Sequence, residues 1–284
     1  MVEKMLSNIL DSEENRIMRL ADLVAYRRPY ANREFDQIFM LAADMVKQVD
    51  VIEDYIRAKN VLFLGDGDGM SMMFGLFGSQ GIIEGPSSMT IYDFDQRIIH
   101  NIKTFAEDYK FLDKYKLKCY NYNVIDPIPQ QSQKRYNFFY INPPYGSKNH
   151  GLSTEAWLHR CIDMCTENCS GCIVIPYDNQ HRWTQDAMLD IQKFLAAHGF
   201  VVRDMISSMH LYHLKDNPEL KSATVIVDKI ASAQSEYSGK QLPISMLVNM
   251  YGSPRRIPHY IIDDGSPMGR MDFDWKFGHN FWEG

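Results

Sequence analysis

Apolar positions along the chain fall into two regimes. Met5, Ile9, Ile17, Leu20 and Leu23 recur among charges at helical spacing over residues 3–24, and Ile38, Leu41, Met45, Val49 and Ile52 do so over 36–57. The turn-like RRPYANREFD separates them, so residues 1–59 read as a helical N-terminal extension. From Asn60 the period changes. NVLFLGDGDG, MTIYDFD, KLKCYNYN, NFFYIN and GCIVIPY contain short apolar runs, with amphipathic stretches at 96–108, 154–168 and 185–198 between them. Strands alternating with helices predict βαβ units and a mainly parallel, doubly wound α/β sheet over 60–231. GFVVRDMISSM and SATVIVDKI have no helical stretch between them, which predicts an antiparallel pair at one edge. Residues 232–284 mix Ser, Gly and Pro with aromatic side chains and are expected to form a C-terminal cap or tail.

The bulk composition adds constraints rather than a function. With 284 residues, 45% hydrophobic and 23% charged, the chain can build a packed core. Its 30 basic and 36 acidic residues give a net charge of −6, which suits a cationic partner better than a broad duplex footprint. No apolar leader segment and no run of eighteen apolar residues is visible, so a cytoplasmic protein without a membrane partner is expected. Five cysteines, an odd number, argue against a disulfide framework. In CIDMCTENCSGC, Cys165, Cys169 and Cys172 reproduce the C-x3-C-x2-C spacing of radical S-adenosylmethionine enzymes. They fall where a helix runs into a strand, however, and read as small apolar fillers, so no metal is expected.

The first strand ends in LGDGDG. Gly65, Gly67 and Gly69 let the backbone turn sharply and approach a ligand closely. Asp66 and Asp68 within the loop would repel a pyrophosphate and favour a ligand with an ammonium or sulfonium centre. S-adenosylmethionine and its decarboxylated form both carry such groups. The second strand ends in IYDFD, where Asp93 is placed to accept from ribose hydroxyls; Asp95 either supports it or caps the helix that follows. After the third strand Asn123 and Asp126 either meet an adenine edge or shape a turn.

The fourth strand stops at NPPY. Neither proline can donate to a sheet, so a stiff shelf is predicted at Asn142. The Asn142 side-chain oxygen and the Pro143 carbonyl can both accept from one amine and aim its lone pair, and Tyr145 can stack on the substrate. Asn142, Pro143, Tyr145 and Asp66 are the catalytic candidates. Tyr177, Asp178, His181 and Trp183 in YDNQHRW follow the fifth strand and either line an acceptor pocket or serve a surface loop. The basic pair in SPRRIPHY reads as a solvated face.

In their order and separation GDGDG, YDFD and NPPY resemble class I S-adenosylmethionine-dependent methyltransferases of the amino-modifying kind. The chain is more closely similar to the branched-chain polyamine synthases, through REFDQ, LGDGDGMS, IYDFDQRII, the diproline shelf and DIQKFLAAHGFVVRDMI, over residues 33–230. That resemblance implies a Rossmann-like seven-stranded sheet, decarboxylated S-adenosylmethionine as co-substrate, a polyamine acceptor, Asp68 near the aminopropyl ammonium and Asp93 on the ribose. The family's N-terminal domain is shortened here, and the last fifty or so residues have no counterpart. One departure matters: the family has Asp at the first shelf position, and this chain has Asn142. An amide cannot take a proton from a protonated polyamine nitrogen, which calls for a desolvated site or a base from elsewhere, Asp66 or Asp178. N-P-P-Y is also the form used in methylation of adenine N6, so S-adenosylmethionine with a nucleic-acid amine is the alternative. The assembly state is left open, a homodimer included.

Overall fold

A computed structural model describes residues 12–145, 149–212, 219–247, 250, 258–266 and 268–273. Met5 and Ile9 of the first predicted helix, and Arg255 and Arg256 of SPRRIPHY, lie outside these residues. Helix α1 (Glu13–Arg27) starts at Ser12, whose Oγ accepts the Asn15 amide at 3.3 Å. A strap with a short 3-10 turn at Arg33–Phe35 leads into α2 (Ala42–Ile56). The alternation then follows the predicted order: β1 (Asn60–Leu64), α3 (Met70–Ser79), β2 (Ser88–Asp93), α4 (Gln96–Asp108), β3 (Lys118–Asn121), β4 (Tyr136–Ile141), α5 (Leu152–Met164), β5 (Cys165–Pro176), α6 (Arg182–Ala197), β6 (Phe200–Leu211) and β7 (Lys221–Lys229).

These seven strands form one sheet in the order β3-β2-β1-β4-β5-β7-β6. Neighbours from β3 to β5 are parallel, while β7 runs antiparallel to both β5 and β6. The expected antiparallel pair is therefore present, with β6 as the outer strand. A separate hairpin, β8 (Pro258–Ile262) and β9 (Arg270–Phe273), is pinned beside β2 by the Ile261 amide on the Phe94 carbonyl at 3.0 Å.

Strand alternation splits the core into two layers. Val61 and Phe63 of β1, Phe138 and Tyr140 of β4, and Cys172 and Val174 of β5 face one side, where Val49 and Ile52 of α2 and Ile98, Ile102 and Phe105 of α4 cover them. The N-terminal helices thus share a core with the sheet. Leu62 and Leu64, Phe139 and Ile141, and Ile173 and Ile175 face the other side, under Leu158 and Ile162 of α5, Ile191 of α6, and Leu242 and Met246 beyond β7. On that side lies Arg160, fully buried. Its guanidinium donates to the carbonyls of Val124, Ile125, Tyr237 and Lys240 at 2.9–3.1 Å, tying the segment after β7 to the connection after β3.

The cysteine stretch departs from the predicted helix of 154–168. α5 ends at Met164 and Cys165 begins β5, because Cys165 pairs with Tyr136 ahead of a bulge in the β4–β5 ladder. Cys161, Cys165, Cys169 and Cys172 are buried. Among the described residues no group of three or more His, Cys, Asp or Glu side chains has metal-binding geometry, and no helix is long and apolar enough to cross a membrane.

Candidate active site

The chain order reverses at β1, between β2 and β4, and a cleft opens at the carboxyl ends of these strands. It spans about 940 Å³ with its open, solvent-filled mouth included. Its floor is the loop after β1. Gly65 turns the chain with φ 74°, in the left-handed region that favours glycine, and its amide donates to the Tyr92 carbonyl at 2.7 Å. Gly67 has no room for a side chain: a Cβ there would stand 2.9 Å from Cε1 of Phe39, in the strap that roofs the loop. Arg28 clamps strap to loop, donating to the Met40 carbonyl at 2.9 Å and the Asp68 carbonyl at 3.4 Å while lying over the Phe39 ring.

Of the predicted acids, Asp66, Asp68 and Asp93 line this floor, and all three are buried. Asp66 gives its two oxygens to the amides of Met70 and Ser71 at 2.8 and 3.1 Å, capping α3. Asp93 accepts the amides of Asp66 and Asp95, both at 2.9 Å. Asp68 accepts the Met40 amide on one oxygen and the Asn142 Nδ2 on the other, both at 2.6 Å. Burial pushes the Asp66 carboxyl up to about 8 and the Asp93 carboxyl up to about 7, and raises Asp68 as well. Such a floor holds either protons or a compensating cation.

The shelf faces the floor. Because Asn142 Nδ2 is spent on Asp68, the amide oxygen is turned the other way and has no partner among the described residues. Pro143 and Tyr145 line the same cleft. So does Tyr140, whose buried hydroxyl finds no hydrogen-bond partner among the described residues. Acidic floor, acceptor shelf and orphan phenol together fit a ligand with a cationic centre and N–H or O–H donors. Asn123 lies in the wall with Oδ1 3.3 Å from the Ile125 amide.

Other sequence candidates are placed elsewhere. Asp95 does not line the cleft: it caps α4, accepts from Gln37 Nε2 at 3.0 Å and pairs with Arg97 at 2.6 Å. Gly69 sits at the start of α3, behind the cleft wall. Tyr177 and Asp178 are also absent from the lining, and Asp178 spends Oδ1 on the amides of Gln180 and His181 and both oxygens on the His181 ring. Its own turn therefore accounts for Asp178. Asp66, the other expected base, is similarly occupied by α3. Sequence reading missed the strap, Tyr140 and Trp157, which donates from Nε1 to the Leu64 carbonyl at 3.0 Å and closes the wall beside Gly65. The REFDQ stretch was the one available signal for the strap.

The sequence matches the family described as "Branched-chain polyamine synthase A C-terminal domain" over residues 16–262. An uncharacterized protein of Methanocaldococcus jannaschii is 23% identical over 240 residues, covering 84% of this chain and 54% of that protein. The N(4)-bis(aminopropyl)spermidine synthase of Thermus thermophilus is 23% identical over 193 residues, covering 66% of this chain and 51% of that enzyme. The chain thus spans about half the length of these relatives. A solved structure of the Thermus thermophilus branched-chain polyamine synthase C9 mutein, in complex with N4-aminopropylspermidine and 5'-methylthioadenosine, superposes with a TM-score of 0.63 at 19% identity, covering 79% of this chain and 66% of that one. A putative RNA methyltransferase of Pyrococcus horikoshii superposes at 0.57 with 16% identity, covering 76% of this chain and 100% of that one. The fold is therefore methyltransferase-like.

Proposed function

The chain belongs to the branched-chain polyamine synthase A C-terminal domain family, and from that premise we propose that it transfers an aminopropyl group from decarboxylated S-adenosylmethionine to an amine nitrogen of a polyamine. The observation that carries this reading is the direct link between floor and shelf, Asp68 to Asn142 at 2.6 Å. It joins a buried acidic surface suited to a sulfonium or ammonium to an acceptor aimed at a nucleophilic nitrogen.

The residues act by position. Asp66, Asp68 and Asp93 supply negative charge in a dry site, where it attracts a cation far more strongly than in water. Asp93, with Asn123 across the wall, is assigned to the nucleoside end. Asn142 Oδ1 and the Pro143 carbonyl hold the N–H groups of the acceptor, turning its lone pair toward the carbon bonded to sulfur. As the new C–N bond forms the C–S bond breaks, and the electron pair leaves with the thioether. An amine that arrives neutral needs no base in this step: the positive charge passes from sulfur to nitrogen, and the product nitrogen keeps its hydrogens as an ammonium, while Asp68 holds Asn142 in place. In-line displacement needs little beyond such alignment.

Incubation with spermidine and decarboxylated S-adenosylmethionine should give products heavier by whole aminopropyl units in mass spectrometry. S-adenosylmethionine should give none, because its extra carboxylate would approach the acidic floor. Methylated nucleic acid formed with S-adenosylmethionine, without aminopropylated amine, would overturn the reading in favour of adenine-type N-methylation, for which Asn142 is the usual shelf residue.

A further inference from the structure

Tyr140 takes no part in the steps above. It stands two residues before Asn142, and the extended chain at the end of β4 sends both side chains to the same face of the sheet. Neighbouring strands fix its ring. Phe63 of β1 pairs with it on one side, ring centroids 5.8 Å apart, and Cys172 of β5 pairs with it on the other. The ring thus belongs to the core while the residue lines the cleft. Although the side chain is fully buried, its hydroxyl has no hydrogen-bond partner among the described residues.

Burying a hydroxyl without a partner costs stability, and phenylalanine would fill the same space without that cost. Packing therefore gives no reason for the oxygen; the cleft does. Burial holds the phenol well above its ordinary range, and the Asp68 carboxylate pushes it the same way, so the hydroxyl stays uncharged beside an acid of the floor. Asp68 takes one donor on each oxygen, from Met40 and Asn142, and a carboxylate oxygen can accept a second. An ammonium between Asp68 and Tyr140 would find one charged and one neutral acceptor. A carboxylate there would face Asp68 and Asp66 as like charges. The donor supplies such an ammonium at the right place. Asn142, which holds the nucleophile, is tied to Asp68 at 2.6 Å, and the primary ammonium of the aminopropyl chain is three bonds from the carbon under attack.

We propose that Tyr140 is a binding residue for the donor: its hydroxyl oxygen, together with Asp68, accepts from the primary ammonium at the end of the aminopropyl chain and fixes that chain for in-line attack. The inference rests on the proposed aminopropyl transfer for the identity of the ligand. It adds to that site a neutral contact whose burial and strand position would otherwise mark it as core.

The test is Tyr140→Phe in the full chain, read by calorimetry and thermal unfolding. Kd for decarboxylated S-adenosylmethionine should rise about tenfold, the scale of one hydrogen bond to a charged group. Kd for 5'-methylthioadenosine, which lacks the aminopropyl chain and its ammonium, should stay within about twofold of wild type. Tm of the ligand-free variant should equal or exceed that of wild type, because the oxygen removed has no partner to lose. An unchanged Kd for the donor overturns the inference, as does equal weakening of both ligands or an effect confined to KM for spermidine. A lower Tm would do the same by showing that the hydroxyl serves the fold. If the wild-type chain binds decarboxylated S-adenosylmethionine but moves no aminopropyl group to spermidine, the functional reading fails and the two Kd values still decide the inference; if it does not bind that donor, both fall.

Discussion

Asn142 is an amide where the resemblance drawn from the sequence implies an aspartate, and its surroundings show what an amide does there. Its Nδ2 donates to Asp68 at 2.6 Å, a contact a second carboxylate could make only by sharing a proton. Asn142→Ala should therefore lower kcat by about a hundredfold, the low end of what is lost with one preorganised catalytic contact, and leave cofactor Kd nearly unchanged. Steady-state kinetics and calorimetry together check this; a loss confined to cofactor binding would show that the residue serves the floor instead. At this scale the sequence was legible as to residue type and less so as to assignment. Asp66 and Asp68 alternate in one loop, and which of them reaches the shelf depends on the turn at Gly65, φ 74°, which spacing does not reveal. Asp95 and Asp178 look equally suited to ligands on paper. Local backbone amides and the neighbouring Arg97 and His181 engage them first.

Among elements, the strap from Arg33 to Met40 sets the depth of the cleft. It crosses the glycine loop at Phe39 and joins Tyr212 through an isolated antiparallel bridge at Met40. Gly67→Ala would drive a methyl to within 2.9 Å of the Phe39 ring. We expect a cost of about 1–3 kcal/mol in urea unfolding from overpacking, with much of it recovered in Gly67→Ala/Phe39→Leu. Additive losses in the pair would mean that strap and loop do not press on one another. Helix α4 was readable to its ends because Ile98, Ile102 and Phe105 keep a clean period and Asp95 stands before it. The strap was not, since Ile38 and Leu41 keep helical spacing with Met45 and so extended the predicted helix back to 36, whereas it starts only at Ala42. The start of β5 was hidden for another reason: Cys161 and Cys165 are four apart, a helical interval, and only pairing with β4 ends the helix at Met164.

Across the whole molecule, the buried floor links stability to pH. Asp66 and Asp93 have folded-state pKa values of about 8 and about 7, against about 3.9 for an unfolded aspartate. The folded chain therefore binds these protons more tightly than the unfolded chain. Their contribution is complete below about pH 4 and is lost as pH rises through about 7 to 8. Tm of the ligand-free protein should fall across this window, and Asp66→Asn, which keeps an acceptor for the Met70 amide, should make the slope shallower. A Tm that rises with pH between 5 and 8 would contradict the desolvated floor. Fold class belongs to this scale too, and it was the most legible level: alternating strands and helices over 60–231 marked a mainly parallel sheet, and the missing helix between β6 and β7 marked its antiparallel pair, while the strand order itself comes from the structure.

Arg160 has a consequence of a different kind. Four carbonyls from two stretches of chain converge on one planar five-hydrogen head, which joins the segment after β7 to the connection after β3. A lysine has three hydrogens on one nitrogen and could not span those four oxygens; methionine would strand them all. The position is thus closed to the two replacements that would best match its length, because the four-carbonyl convergence needs a flat, forked head.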